Sequence, residues 1–312
     1  MEERIQEILN QDGTKTSKIK QLILLGLTRT QIAQLVTNGN YGFVQNVYAK
    51  MRVQGILNMT DAEATARGFN RRFGVEFEAY NIDRNNLCAA LNAAGIYTII
   101  ESYNHITRRH WKIVTDSSIR GSNGFELVSP ILQGEAGITE MKKVCNILNQ
   151  SGAKVNSSCG THVHIDAQGI NLASWKRIYI NYARLEKVID DFMPKSRKGN
   201  NNFYSKGFST ITNFEAKISR SRSLLEIDNF FGSRYFKINP KSYARHNTIE
   251  FRQHSGTVEF EKINNWVRFL GNLITFSEDN LVTDKSLEGL AEFNSQEIMN
   301  YLRRRTNKLK TR

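Results

Sequence analysis

The chain has 312 residues, 40% of them hydrophobic, 23% charged and only 3 of them proline. That composition excludes collagen-like, low-complexity and wholly disordered chains, and the length suits one large domain with a small one, or two of medium size. Lys and Arg number 43 against 30 Asp and Glu, a net charge of +13, which attracts polyanions without selecting among nucleic acid, a nucleotide's phosphates or an acidic polymer.

Nothing approaches the roughly 18 uninterrupted apolar residues of a membrane span. The charged start Met1-Glu2-Glu3-Arg4 is followed by no apolar segment of the kind a secretory signal needs. Cys88, Cys145 and Cys159 are too few and too scattered for a disulfide framework or a paired zinc knuckle. The expectation is a cytoplasmic protein with no membrane partner.

Helical spacing starts with Ile19, Leu22 and Ile23, and Gly26 ends that run as a C-terminal cap would. Thr28 is placed to cap a second helix, with Ile32, Leu35 and Val36 as its apolar residues. Thr37-Asn38-Gly39-Asn40 reads as a turn, and Phe43, Val44, Val47 and Met51 form the apolar face of a third helix. The run Leu-Gly-Leu-Thr-x-x-x-Ile-Ala-x-Leu-Val from Leu25 to Val36 resembles a helix-turn-helix motif. That resemblance implies that Tyr41, Gln45, Asn46 and Lys50 face a DNA major groove. Three short helices are also a generic protein-contact module, and residues 1–72 hold ten basic against six acidic residues, mild for a DNA reader. The alanine-rich stretch 61–67 reads as a connector. The expected division is a helix-turn-helix-like module over 1–55, a linker over 56–72, a main domain over 73–285, and a C-terminal helix with a basic tail over 286–312.

The main domain opens with Phe73-Gly74-Val75-Glu76-Phe77-Glu78. On a strand, Glu76 and Glu78 share one face while Val75 and Phe77 share the other. The same device recurs in Cys159-Gly160-Thr161-His162-Val163-His164-Ile165-Asp166, which puts His162, His164 and Asp166 together. It recurs again in Thr248-Ile249-Glu250-Phe251-Arg252-Gln253-His254, where Glu250, Arg252 and His254 alternate with apolar neighbours and Gln253. A solvated strand face more often shows Lys, Thr and Ser, so three such strands in one sheet predict a cavity lined by carboxylates, imidazoles and a guanidinium. Its predominance of carboxylate oxygens suits Mg²⁺ or Mn²⁺. His-x-His with a nearby Asp also occurs at zinc, but the paired acids favour the harder ions. Cations held by Glu residues opposite arginines make a cradle for a triphosphate.

Taken in order, five segments resemble the family of putative amidoligases, within the carboxylate–amine ligase group that includes glutamine synthetase and γ-glutamylcysteine synthetase. They are Phe73 to Glu78, Trp111 to Ile119, Phe125 to Gly134, Cys159 to Asp166 and Ile249 to Gly256. The resemblance implies an α+β fold, a curved, mainly antiparallel sheet backed by helices, preceded here by the small all-α module. It also implies dependence on ATP and Mg²⁺. Residue by residue, it makes Glu76, Glu78, Glu126, His162 and Glu250 metal ligands. His162 would also lie near the ATP phosphates, with Arg252 and, on looser matches, Arg234 and Arg197 as contacts to phosphate. Lys112 falls in the second segment as a further nucleotide contact.

In such a reaction the γ-phosphoryl group of ATP activates a carboxylate as an acyl phosphate, which an amine then attacks. Asp166 or His164 is placed to take the proton from the attacking ammonium. The expected partners are a small-molecule or peptide carboxylate and an amine, and the relatives' habit of assembly implies a homo-oligomer. The last ten residues, Arg303 to Arg312, hold six basic residues and no acidic one, which reads as a solvated tail or an anchor for nucleic acid.

Two other functions fit the same residues: a metal-dependent hydrolase, and a nucleic-acid-binding regulator with a ligand-sensing domain. Cys159 reads as a small buried residue beside Gly160 rather than a nucleophile. Asp116 reads equally as a substrate contact or as the cap of the turn Asp116-Ser117-Ser118. Trp175, Ile178, Tyr182, Leu185 and Val188 form a helical core stripe. Ser219 to Ser223 reads as a solvated loop or a lid, and His105, His110 and His246 receive no role.

Overall fold

Thr14 and Thr28 begin the helices of the N-terminal unit by accepting hydrogen bonds from the backbone N–H groups of Ser17 and Gln31. The computed structural model describes residues 2–53 and 69–311. The alanine-rich stretch and most of the expected linker lie outside the described residues. The chain divides into two compact units, Met1–Gly68 and Phe69–Arg312.

In the first unit the described residues form α1 (Glu2–Asn10), α2 (Lys15–Leu24), α3 (Arg29–Thr37) and α4 (Tyr41–Val53). Thr28 and Gln31 make a reciprocal capping box, and Asn38, in left-handed conformation at φ 51°, ends α3. The additional helix α1 contributes Ile8 to a core with Ile19, Leu22, Ile32, Val44, Val47 and Met51. Leu35 and Phe43, expected inside, are 44% and 41% exposed. With Ile32 and Ala33 of α3 and Val44 and Val47 of α4 turned inward, these two residues fall on the outer sides of their helices. Arg29 is buried with its guanidinium 4.0 Å from the centroid of the Tyr48 ring.

In the second unit β1 (Arg72–Ala79) lies at the middle of an eight-stranded sheet. It pairs antiparallel with β4 (Phe125–Val128) on one side and β6 (Thr161–Asp166) on the other. Beyond β4 lie β3 (Trp111–Val114) and β2 (Thr98–Ile100), which is parallel to β3. Beyond β6 lie β8 (Thr248–Phe251) and β7 (Ile238–Asn239), while β5 (Leu132–Gln133) pairs with the start of β1. This is an α+β unit with an open, mostly antiparallel sheet.

One face of the sheet supplies Phe73, Val75, Phe77, Val163, Ile165, Ile249 and Phe251 to a single core. The helices α6 (Gly134–Gln150), α7 (Leu172–Asp191) and α11 (Phe260–Ser277) cover it. They follow α5 (Arg84–Ala93), with α8 (Phe214–Arg220), α9 (Leu224–Phe231) and α10 (Ser242–His246) between α7 and α11. The stripe Trp175, Ile178, Tyr182, Leu185 and Val188 of α7 is buried as its spacing predicts. Helix α6 approaches the sheet at Gly137, where a Cβ would come within 2.8 Å of Leu132 Cβ. No helix among the described residues is long and apolar enough to cross a membrane.

The basic C-terminus is not a frayed tail. It forms α12 (Gln296–Lys310), capped by Ser295 and burying Ile298, Met299, Tyr301 and Leu302. Arg303 is ion-paired with Glu288, Arg304 with Glu261 at 2.9 Å, and Arg305 donates to the Phe192 carbonyl at 2.8 Å. Half of the tail's six basic side chains are thus engaged within the fold.

Phe77 is fully buried against Trp111, directly behind the acidic face of β1. Phe77→Ala is expected to destabilise the second unit by about 3–5 kcal/mol through the cavity it leaves. All three tryptophans (Trp111, Trp175, Trp266) belong to this unit, so urea denaturation followed by their fluorescence measures the loss.

Candidate active site

Strand pairing sets the polar residues of the opposite face side by side. Glu78 of β1 stands across from Glu126 of β4, and Glu76 from His162 of β6. One level further along, Gly74, His164, Glu250 and Asn239 follow one another across β1, β6, β8 and β7. The alternation seen in each segment becomes a continuous row because neighbouring strands hold these residues in register.

Contacts within the row are short. His162 Nδ1 lies 2.9 Å from Glu76 Oε2 and 3.9 Å from Glu250 Oε1, and its Nε2 lies 3.5 Å from Glu78 Oε1. His164 Nε2 is 3.3 Å from Glu76 Oε1, and its Nδ1 is 2.8 Å from Thr248 Oγ1. Glu78 accepts a 2.6 Å hydrogen bond from the Gly160 N–H. Glu250 accepts one of 2.6 Å from Asn239 Nδ2 and is ion-paired with Arg252.

The row lines a cavity of about 530 Å³, and every site residue expected from the sequence faces it except His254. Glu76, Glu78, Glu126, His162, His164, Asp166 and Glu250 lie on its sheet side, joined by Lys112, Arg197, Arg234 and Arg252. Arg197 is buried on a short 3₁₀ turn, donates to the Cys159 carbonyl at 2.6 Å, and has an Nε without a hydrogen-bond partner. Arg234 lies at the wall with Tyr103 and Tyr235, its guanidinium 5.4 Å from the centroid of the Tyr235 ring. Lys112 is differently engaged: its ammonium donates to Asn104 O at 3.0 Å, Asn104 Oδ1 at 2.9 Å and Ile106 O at 2.9 Å. All three protons are used on the loop that forms one wall of the cavity. Asp166 pairs with Arg72 at 3.2 Å at the far end of the row, four residues from His162, or about 13 Å along the strand.

Asp116 caps its turn through a 2.7 Å bond from the Ser118 N–H and also lines the cavity. His254 departs from the alternation. Strand β8 ends at Phe251, and His254 packs against Trp266 with its Nδ1 2.7 Å from the Ser255 carbonyl. Burial pushes it down to about 3. Conversely, His246 and His105, given no role by the sequence, line the cavity, and the His246 ring lies 5.6 Å from that of His164. His110 is bound to Glu101 instead, at 3.0 Å. The cavity lining does not include 219–223. Cys159 is buried, and that burial raises its thiol pKa, so it is no ready nucleophile.

Behind the arginines lies a buried network that the sequence did not signal. Asp190 of α7 accepts from Lys237 Nζ at 2.7 Å, Gln253 Nε2 at 2.5 Å and the Gly199 N–H at 2.7 Å. Lys237 also meets Glu186 at 2.7 Å, and Gln253 accepts from the Tyr182 hydroxyl at 2.6 Å. Gln253 follows Arg252 and Gly199 follows Arg197 by two, so one carboxylate ties down the backbones carrying both arginines. The only trace in the sequence is a polar residue, Gln253, on the buried side of an alternating segment.

The electrostatics fit a divalent cation. Burial raises the pKa of Glu126, and the negative charges of Glu76, Glu78 and Asp116 push it well above the usual carboxylate range. Burial alone would also raise Glu76, but the hydrogen bond from His162 and the nearby charges of His162 and His164 outweigh it and hold that carboxyl well below its ordinary value. Glu250 is held low as well, its burial outweighed chiefly by Arg252. The Nε2 of His164 is buried and, although near Glu76, out of line for a hydrogen bond. Two trios bring one donor atom each to within 4.8 Å of one another: Glu76, Glu126 and His162, and Glu76, His164 and Glu250. Oxygen-rich sets with one imidazole suit Mg²⁺ or Mn²⁺.

Glu126 gives the test its sign. A carboxyl with a raised folded-state pKa favours folding below its unfolded value, about 4.3, and that advantage is lost as pH rises through the folded value. In chelator, Glu126→Gln is therefore expected to melt higher than the parent at pH 8 and to lose less stability between pH 5 and 8. Millimolar Mg²⁺ is expected to raise the parent's melting temperature more than the variant's. Equal increments would exclude Glu126 as a ligand.

The family described as "Putative amidoligase enzyme" matches residues 69–274. No curated protein matches the chain. Among solved structures, the chain is similar to one described as "Crystal structure of novel glutamine synthase homolog", at 11% identity and a TM-score of 0.37. That similarity covers 80% of this chain and 66% of the other. The family match takes in the whole row from Glu76 to Arg252 and well over half of the sequence, and the chain belongs to the amidoligase family.

Proposed function

We propose that this protein is an ATP- and Mg²⁺-dependent ligase that joins a carboxylate to an amine through an acyl phosphate. The observation that carries the reading is the gathering of four glutamates and two histidines, with Arg197 and Arg252 beside them, in one cavity. Glu76, Glu126 and His162 would hold one cation and Glu76, His164 and Glu250 a second, with Glu78 beside them. Bound there, Mg²⁺ or Mn²⁺ supplies charge neutralisation at the phosphate oxygens.

The chain's own residues supply the rest. Arg197 and Arg252 are buried, fixed from behind, and able to stabilise negative charge on the transferring phosphoryl group. Arg234, at the wall, is placed to meet the anionic part of the nucleotide. The Asp190 network holds the two buried arginines in position before substrate arrives, which lowers the reorganisation needed during transfer. The oxygen displaced from the carboxylate leaves on phosphate, the amine nitrogen forms the new C–N bond, and its surplus proton passes to a base. His164 and Asp166 both face the cavity and are the two candidates for that base, His164 serving only where it is not holding the second cation.

The decisive measurement is ADP release from ATP and Mg²⁺ in the presence of pooled carboxylates and amines. The parent is expected to respond to at least one pool, and Glu78→Gln to lose about two orders of magnitude or more of that activity, as for loss of a group that orders charge in the transition state. Amide or phosphoester cleavage without ATP would instead identify a hydrolase.

A second activity is favoured for residues 2–53 by the exposure of Asn46 and Lys50 on α4, after the short turn 38–40. These are two of the four positions through which a groove-reading helix would touch bases or phosphates. We propose that this unit contacts duplex DNA. Fluorescence anisotropy with duplex DNA is expected to show salt-dependent binding that the double variant Asn46→Ala, Lys50→Ala weakens. Unchanged binding would remove α4 as the contact.

A further inference from the structure

The cavity face of β1 presents Arg72, Gly74, Glu76 and Glu78, and one of these four positions has no side chain. A glycine within a strand costs backbone entropy and packs nothing, so it marks a bend, a bulge or a close approach. The backbone does not require it here. Gly74 is not in the left-handed region, and pairing with β6 runs unbroken from Phe73 to Phe77. Packing does not require it either. A Cβ at Gly74 would meet Ser129 Oγ at 3.6 Å and His164 Cβ at 3.7 Å, both ordinary contacts. The hollow opens into the cavity between Glu76 and the Arg72–Asp166 ion pair.

We infer that Gly74 is the seat of the carboxylic acid substrate, whose chain lies over the glycine with the reacting carboxylate toward Glu76 and the far end toward Arg72 and Asp166. The inference rests on the ligase reading and specifies its acid: a small carboxylate with a polar or charged far end. Arg197, one of the groups suited to phosphate, lies by Gly160 and Glu78, on the other side of Glu76 from Gly74, so its end of the row is left to the nucleotide and the Gly74 end to the acid. The opposite charges of Arg72 and Asp166, both partly exposed, reward an acid that ends in a charged or hydrogen-bonding group over one that ends in a methyl.

Gly74→Ala and Gly74→Val test this by filling the hollow in two steps while leaving every polar residue in place. Both variants are expected to melt no lower than the parent, since a strand accepts alanine and valine better than glycine, and to keep its Mg²⁺-induced rise in melting temperature. Calorimetric titration of the Mg²⁺-loaded protein with acetate, butyrate and glutarate is expected to show glutarate binding the parent more tightly than butyrate. Gly74→Val should weaken glutarate about tenfold or more, while ATP binding changes less than about twofold. Unchanged glutarate binding in Gly74→Val, equal weakening of ATP, or loss of the Mg²⁺ response would each overturn the seat. So would a parent that binds none of the three acids. If the parent binds glutarate, Gly74→Val does not, and no acid drives ADP release, the ligase reading fails and the seat stands.

Discussion

The second unit is organised around an electrostatic conflict: four glutamates brought to one face of a sheet, two of them, Glu78 and Glu126, directly across from each other. Folding alone does not favour this, because adjacent like charges on neighbouring strands repel and burial makes each ionised group costlier. The protein settles part of the conflict internally. His162 and His164 lie against Glu76, Arg252 against Glu250, and the Gly160 N–H against Glu78. Glu126 is left without such a partner, and its raised pKa records the charge that remains unbalanced.

The apolar side of the same strands makes the conflict tolerable. Val75, Phe77, Val163 and Phe251 anchor the three central strands in a core covered by long helices. The register that aligns the acids is thereby set by residues facing away from them. A slip of one residue would place Phe77 in the cavity and Glu76 in the core, so the hydrophobic packing enforces the position of the polar row. The Asp190 network adds a second, polar anchorage to the strand and turn that carry Arg252 and Arg197. Its central members Asp190, Lys237 and Gln253 each have two or more partners, the condition under which a buried polar network rigidifies rather than weakens a fold.

Much of this was legible because period-two alternation is visible in single segments. Glu76 with Glu78, His162 with His164, and Glu250 with Arg252 declare their shared faces without any knowledge of the fold. What a segment does not show is where its strand stops or what crosses it. His254 continues the alternation of Glu250 and Arg252 in the sequence, but the backbone leaves the sheet after Phe251. Lys112 sits on a cavity-lining strand, yet its charge goes to a loop eight and six residues upstream. His246 joins the cavity from a five-residue helix whose brevity leaves no periodic signal. In the N-terminal unit the capping residue Thr28 was readable from its chemistry, whereas Leu35 and Phe43 turned outward because helix α1 and the packing of α3 on α4 fix which side is inner.

Glu76 belongs to both trios of prospective ligands. A carboxylate shared in this way makes the two positions thermodynamically dependent: whatever the first ion does to the orientation and charge of that side chain alters the affinity for the second, and the influence runs equally in both directions. Occupancy of the pair is then a property of the pair, with loading curves that a sum of two independent sites cannot reproduce.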